Sequence, residues 1–277
     1  MAGFASRDDI ISEITTLGKV DAWNFVKTAP ANGLAGVWQS LWLGAGNPAT
    51  GAAPAGTPGI TYASDATANV NGTMWFPDRD PDFRHLLSIG AAATQNCTLM
   101  LYDRLAGVGG ITLSTTGTRT VNSAALPRYS GTDAIGNEAW LEITTATTTT
   151  APIVNLNSYT TADGTTGQTG GSVTFPAAAT VIHSMIHLPQ TPGKRGVRSV
   201  EAGLNVGTAA AAGAANLVII RPLARIPLLA NIWNEVSFLD DVLSLPRIYD
   251  NAALGLALLC TTTTAVTVWG SINCAYG

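Results

Sequence analysis

Residues 138–175 read EAWLEITTATTTTAPIVNLNSYTTADGTTGQTGGSVTF, and this stretch decides the fold class. Leu141 and Ile143 alternate with Glu142 and Thr144, the two-residue period of a half-buried strand. A threonine run follows, then a second extended segment over 152–161, a Gly/Thr loop over 163–171, and a return to the extended pattern at Val173–Phe175. Glu138, Glu142 and Asp163 are its only charges, and it contains no His, Cys, Lys or Arg. Such a stretch is built for sheet and is poor in reactive groups. It points to contact surfaces. Its threonine tract and loop predict a projecting hairpin over 138–175, either lying against a neighbouring subunit or exposed to solvent.

Outward from this stretch the pattern stays extended. Leu99–Leu105 and Ile111–Leu113 read as two strands joined by the glycines at 107, 109 and 110. Thr180–Leu188, Asn216–Ile220 and Ile232–Leu239 read as further strands, with Arg221–Leu229 interrupted by Pro222 and Pro227. Residues 254–261 and 266–272 predict a C-terminal hairpin. Residues 44–59 carry no charge and predict a loop that is mobile or laid on a partner. One helix is clear. Ser6 is a good N-cap, Asp8 and Asp9 suit the first turn, Ile10, Ile11, Ile14 and Leu17 form an apolar stripe, and Gly18 is a C-terminal stop. It docks on its own domain or on a neighbour. The expected architecture is all-β, with nine to eleven strands in a jelly-roll-like β-sandwich and a short N-terminal helix. Residues 1–30 are expected to form helix and arm, and 31–277 the sandwich domain.

Charge is scarce. The 277 residues include 14 basic and 18 acidic side chains, 12% of the chain, against about a quarter in ordinary soluble domains. Either the surface is neutral and rich in Thr, Ser and Asn, or much of it is buried between subunits, where charge is depleted. Seven tryptophans favour the second reading, with Trp38 and Trp42 as contact candidates. The acidic balance gives no reason to expect nucleic-acid binding. No apolar window has the length to span a membrane, and Arg7, Asp8 and Asp9 precede any apolar run, unlike a signal peptide. Cys97, Cys260 and Cys274 have no metal-like spacing; they read as three reduced buried thiols, or as a Cys260–Cys274 bridge beside one free thiol.

The motifs with chemical potential are weak. His183 and His187 stand four apart, but a metal site needs a third ligand and none lies nearby. Asp78, Asp80 and Asp82 alternate as in a calcium loop, yet Phe83 and Ile89 stand where Gly and Glu are required. Arg79 and Arg84 are therefore expected to neutralise these acids. No nucleophile elbow or HExxH helix occurs, so no enzymatic activity and no cofactor is expected. The basic group Lys194, Arg195 and Arg198 is read as pairing with acids across an interface. A carbohydrate-binding module is the alternative, with Trp75 beside the aspartates as its site.

The segments FASRDDIISEITTLGK at 4–19, LPRY at 126–129 and GVRSVEAGLN at 196–205, with the Ala/Thr/Gly-rich extended segments, resemble the virion structural proteins of tailed bacteriophages. Within that group the chain is most similar to capsid decoration (cement) proteins. The resemblance implies a homotrimer on the capsid exterior, assembled in the bacterial cytoplasm, whose partners are the major capsid protein and copies of itself. A major capsid protein and a receptor-binding tail module are the alternatives it leaves open. The contact candidates are Ile10, Ile14, Leu17, Trp38, Trp42, Arg195 and Arg198.

Overall fold

The computed structural model describes residues 4, 6–29, 33–56, 59–64, 71–176, 180–239 and 245–277. Among them lie nineteen strands, one α-helix and one 3-10 turn, so the all-β class with a short N-terminal helix holds. The strand number exceeds the expected nine to eleven because many strands have only two to four residues, too short to give a periodic signal.

The centre is a ring of strands. It comprises β2 (Trp38–Ser40), β6 (Cys97–Thr112), β8 (Glu138–Thr145), β12 (Ser184–Leu188), β15 (Ala214–Leu228) and β18 (Leu254–Cys260). The antiparallel pairings run β6–β15–β8–β12–β2–β18 and return to β6, so the sheet closes on itself. Closure removes the exposed edges of this sheet. β4 (Ile60–Thr61) is added to β6 beyond the end of β18.

Two sheets flank the ring. The first contains β1 (Val20–Thr28), β3 (Ala45–Asn47), β5 (Arg84–Ala93), β16 (Asn234–Ser237), β17 (Arg247–Ile248) and β19 (Thr267–Tyr276). Its inward side chains, among them Phe25, Leu86, Ile89 and Ile272, pack with Leu99, Leu101, Leu254, Leu256 and Leu258 of the ring. The second contains β7 (Gly117–Arg119), β9 (Ile153–Leu156), β11 (Val173–Thr174) and β14 (Leu204–Thr208). There Val154, Leu156, Leu204 and Val206 meet Leu141, Ile143, Leu217 and Ile219 of the ring. A separate pair, β10 (Tyr159–Thr161) and β13 (Val197–Val200), closes the same side.

Several sequence expectations are corrected by pairing. The glycines at 107, 109 and 110 do not divide a hairpin, and β6 runs through them as one strand. A Cβ on Gly109 would stand 2.1 Å from the Pro54 carbonyl oxygen, so glycine is what lets the uncharged 44–56 segment lie against β6. That segment packs on its own chain: Gly109 N–H donates to the Ala55 carbonyl (2.8 Å) and the Trp42 indole N–H to the Ala52 carbonyl (3.0 Å). Pro222 and Pro227 do not interrupt β15. They fall after Ile220, where pairing with β8 has ended and only β6 lies alongside, so their missing N–H groups break no double-sided ladder.

Stretch 138–175 is no projecting hairpin. β8 belongs to the ring while β9 pairs with β11 and β14 in the flanking sheet. Its loop folds back: Lys194 Nζ and Asp163 Oδ2 are 2.9 Å apart, and Tyr159 and Gln168 exchange backbone hydrogen bonds. The predicted C-terminal hairpin also fails, because β18 lies in the ring and β19 in the first flanking sheet. All three cysteines are free and buried, and the register partner of Cys260 is Cys97. Residues 20–28 form no arm; they pair along their whole length with β19.

The helix α1 (Arg7–Leu17) begins and ends as its caps dictate. Ser6 Oγ accepts from the Asp9 N–H at 3.1 Å, and Gly18 takes a left-handed φ of 64°. Of the two docking possibilities, the helix takes its own chain: Ile10 is fully buried against Leu87, Leu245 and Ala275.

Candidate functional site

The first flanking sheet has a second face, and along β1 its sequence pattern is partly inverted. Along β1 the inward positions are Asp21, Trp23, Phe25 and Lys27, and the outward ones are Val20, Ala22, Asn24, Val26 and Thr28. The charges point in because the interior satisfies them. Asp21 takes Arg79 Nη2 at 2.6 Å and Arg84 Nε at 2.9 Å, and Arg84 Nη1 also reaches Asp250 at 3.0 Å. Burial pushes the Asp21 carboxyl up, but the two guanidiniums outweigh it and hold it below its ordinary value. Lys27 Nζ donates to the carbonyls of Gly44 (2.7 Å) and Pro48 (3.0 Å), and burial lowers its pKa to about 8.

What β1, β19 and β5 leave for the outside is neutral, and the charge beside them is the exposed Glu235 of β16, opposite Gly90. The register stacks Val26, Trp269 and Ala92 in one row, Asn24, Ser271 and Gly90 in the next, and Ala22, Asn273 and Ser88 in a third. Among the described residues, the outward positions of 22–28, 88–92 and 267–273 carry no charged side chain. Trp233 lies across Gly90, where a Cβ would come within 2.4 Å of its ring, and half of Trp233 remains exposed (50%), as does Val26 (48%). Helix α1 covers the Ala275 end of this face, and its Ile11 and Leu17 are exposed. Burying the open half of one tryptophan, ~100 Å² of a side chain that buries about 200 Å², contributes roughly 2.5 kcal/mol at about 25 cal/mol per Å². The face is suited to contact.

A second feature opens at one mouth of the ring. Trp38, Trp140, Glu138, His187 and Arg225 line a groove of about 590 Å³ whose outer wall includes Thr174 of β11. Trp38 and Trp140 meet edge to face at 6.3 Å, His187 lies 5.0 Å from Trp140, and the Trp140 indole N–H donates to Glu138 Oε2 at 2.9 Å.

Deeper in the ring Arg104 and Glu142 form a fully buried pair at 3.0 Å, with the guanidinium over the rings of Trp42 (4.7 Å) and Tyr62 (4.8 Å). Burial would raise the Glu142 carboxyl, but Arg104 and neighbouring hydrogen bonds hold it low. A second buried pair joins Arg128 of the LPRY segment to Asp103 of β6, and Arg128 also donates to the Tyr62 and Arg104 carbonyls.

The sequence-derived candidates are scattered by the fold. Ile10 and Trp42 are core residues with no side-chain surface left for a neighbour, because helix docking covers one and Arg104 and Tyr62 enclose the other. Ile14 is half-buried, Leu17 is exposed, and Trp38 stands in the groove. Arg195 and Arg198 are exposed around β13 on a different part of the molecule, and their neighbour Lys194 pairs within the chain. Arg79 and Arg84 engage Asp21 and Asp250 in place of the alternating acids; Asp82 pairs with Lys19 at 2.9 Å and Asp78 accepts the Asp80 N–H. Trp75 lines a separate hollow of about 200 Å³ with Trp23 and Asn71. Among the described residues no group of three His, Cys, Asp or Glu side chains is placed to hold a metal ion, and no helix is long and apolar enough to cross a membrane. Val26, Trp233 and Trp269 were missed, because charge at Asp21 and Lys27 makes the wrong face of β1 look solvated.

No family model matches the chain, and no curated protein matches it. Among solved structures it is similar to the VP2 subviral particle of infectious bursal disease virus, with 9% identity, 96% of this chain and 85% of that one covered, and a TM-score of 0.20. The Gx strain of infectious bursal disease virus gives 10% identity, 94% and 80% coverage and a TM-score of 0.19. Likenesses of that size carry no argument about this chain.

Proposed function

We propose that this protein is a structural component of a virus particle that works by contact, and that the open face of the β1–β19–β5 sheet is the surface through which it binds. The observation that carries the reading is the neutral face built from Val26, Trp269, Ala92 and Trp233, in a chain that keeps Asp21, Lys27 and Arg84 inside. Small neutral side chains allow close approach, and the tryptophans supply the anchors that dominate contact energies.

The finer reading follows the resemblance of 4–19, 126–129 and 196–205 to tailed-phage virion proteins. The chain is a cement protein on the head exterior, a trimer that ties major capsid subunits together without chemistry. Each copy contributes a modest contact, and repetition over the lattice turns modest contacts into a stable shell. Quantitative gel or mass-spectrometric stoichiometry of purified particles tests it. Copies on the order of hundreds per particle, the number a lattice of repeated weak contacts needs, support the shell assignment. A handful of copies places the chain at a vertex or tail and removes the cement reading.

A further inference from the structure

We propose that the groove at the mouth of the ring is a binding site for a neutral saccharide. Three features of its wall point there. First, Trp38 and Trp140 meet edge to face at 6.3 Å; Trp140 is buried, so the partly exposed Trp38, with Arg225 beside its ring, is the indole that borders the groove. An indole packs against the C–H face of a sugar ring while the ring's hydroxyls point away to polar neighbours. Second, Glu138 and Arg225 stand at its rim as an acceptor beside a donor. Their closest approach is 3.9 Å, too long for a hydrogen bond, so each keeps hydrogen-bonding capacity for a ligand. Glu138 Oε2 accepts from the Trp140 indole N–H, and Oε1 faces Arg225 Nη2 at 3.9 Å. Third, His187 adds a further polar group against Trp140, and Thr174 is among the lining residues.

Elimination narrows the ligand class. A purely apolar occupant would strip water from Glu138, Arg225 and His187 and return no hydrogen bond, which is costly. An anion would face the Glu138 carboxylate, and a cation the Arg225 guanidinium. A neutral ligand with adjacent hydroxyls satisfies both charges and keeps an apolar side for Trp38. The volume of about 590 Å³ lies inside the range of roughly 300–1,000 Å³ typical of small-molecule sites. The site is separate from the open sheet face, so it stands or falls independently of the contact reading.

The test is isothermal titration of the full-length protein with glucose, galactose, N-acetylglucosamine and their β-linked and α-linked disaccharides, followed in parallel by tryptophan fluorescence. At least one is expected to bind saturably at ~1 mM or tighter, about 4 kcal/mol of binding free energy, with a change in indole emission. Trp38→Phe and Arg225→Gln should each weaken that binding tenfold or more while the circular dichroism spectrum stays that of wild type and, for the exposed Arg225, the melting temperature stays close to it. Trp75→Ala, which alters the other tryptophan hollow, should leave binding unchanged. No saturable binding by any of these sugars overturns the proposal, as does binding that survives both groove substitutions. Sialyllactose and a sulfated disaccharide are titrated alongside, and binding confined to these two overturns the neutral class.

Discussion

Replacing Glu142 with Ala leaves a guanidinium sealed in the middle of the ring. Arg104 has no exposed surface, its Nη1 and Nη2 approach the two Glu142 oxygens at 3.4 and 3.0 Å, and Trp42 and Tyr62 lie against it. An arginine does not shed its proton to escape. Breaking a buried pair from one side costs about 3–5 kcal/mol, a large share of the roughly 5–15 kcal/mol that holds a typical domain together. Arg104→Met is milder, because the stranded carboxyl can take a proton, and its cost should grow as pH rises above the ordinary carboxyl value of 4.5. The double variant Arg104→Met, Glu142→Leu removes both charges and fills the space with apolar groups, so it should recover most of either loss. Urea unfolding monitored by tryptophan fluorescence reads all three against wild type, with unchanged m-values required for the comparison. If each single substitution costs under about 1 kcal/mol, or if the double variant costs the sum of the two, the pair is not the coupled unit described here.

Two further outcomes follow from burial. Burial pushes Cys97 up to about 12 and Cys260 up to about 11 from an ordinary 9.0, and Cys274 is raised further. The unfolded chain releases these protons above pH 9 and the folded chain does not, so each thiol subtracts about 1.4 kcal/mol of stability per pH unit there. Lys27, lowered by burial to about 8, acts oppositely between pH 8 and 10.5, but it is one group against three. The melting temperature should therefore fall from pH 9 to 10.5, and a flat or rising profile would contradict the burial of the thiols. Gly109→Ala drives a methyl group into the Pro54 carbonyl oxygen and should destabilise by about 1–3 kcal/mol, read by the same urea titration. A neutral effect there would mean that the 44–56 segment does not lie on β6.

The parts of the fold that were legible are the ones written locally. Ser6, the isoleucine stripe and Gly18 define α1 within a dozen residues, and Leu141–Thr144 announces a strand by its period alone. Pairing is not local. Nothing within 138–145 says that its neighbours are 184–188 and 214–220, nor that 254–260 closes the ring through 38–40. Proline and glycine misled for the same reason, since Pro222 and Gly109 break a strand only if a partner needs their N–H or their space. The site was obscured by the core. Asp21 and Lys27 look like surface residues, and only the distant Arg79, Arg84 and the Gly44 and Pro48 carbonyls explain why they point inward. Trp42 reads as an anchor for a partner until Arg104 is seen stacked on it.

The central claim is that the neutral face of the β1–β19–β5 sheet is the binding surface. It is tested most directly by sedimentation of the purified protein with virus particles stripped of it, comparing wild type with Val26→Lys and with Arg195→Ala. Val26 is 48% exposed on the outward side of β1, so a lysine there should fold normally and place a charge in the contact. Val26→Lys is expected to lose particle binding at least tenfold while Arg195→Ala keeps it. Undiminished binding by a folded Val26→Lys protein would contradict it.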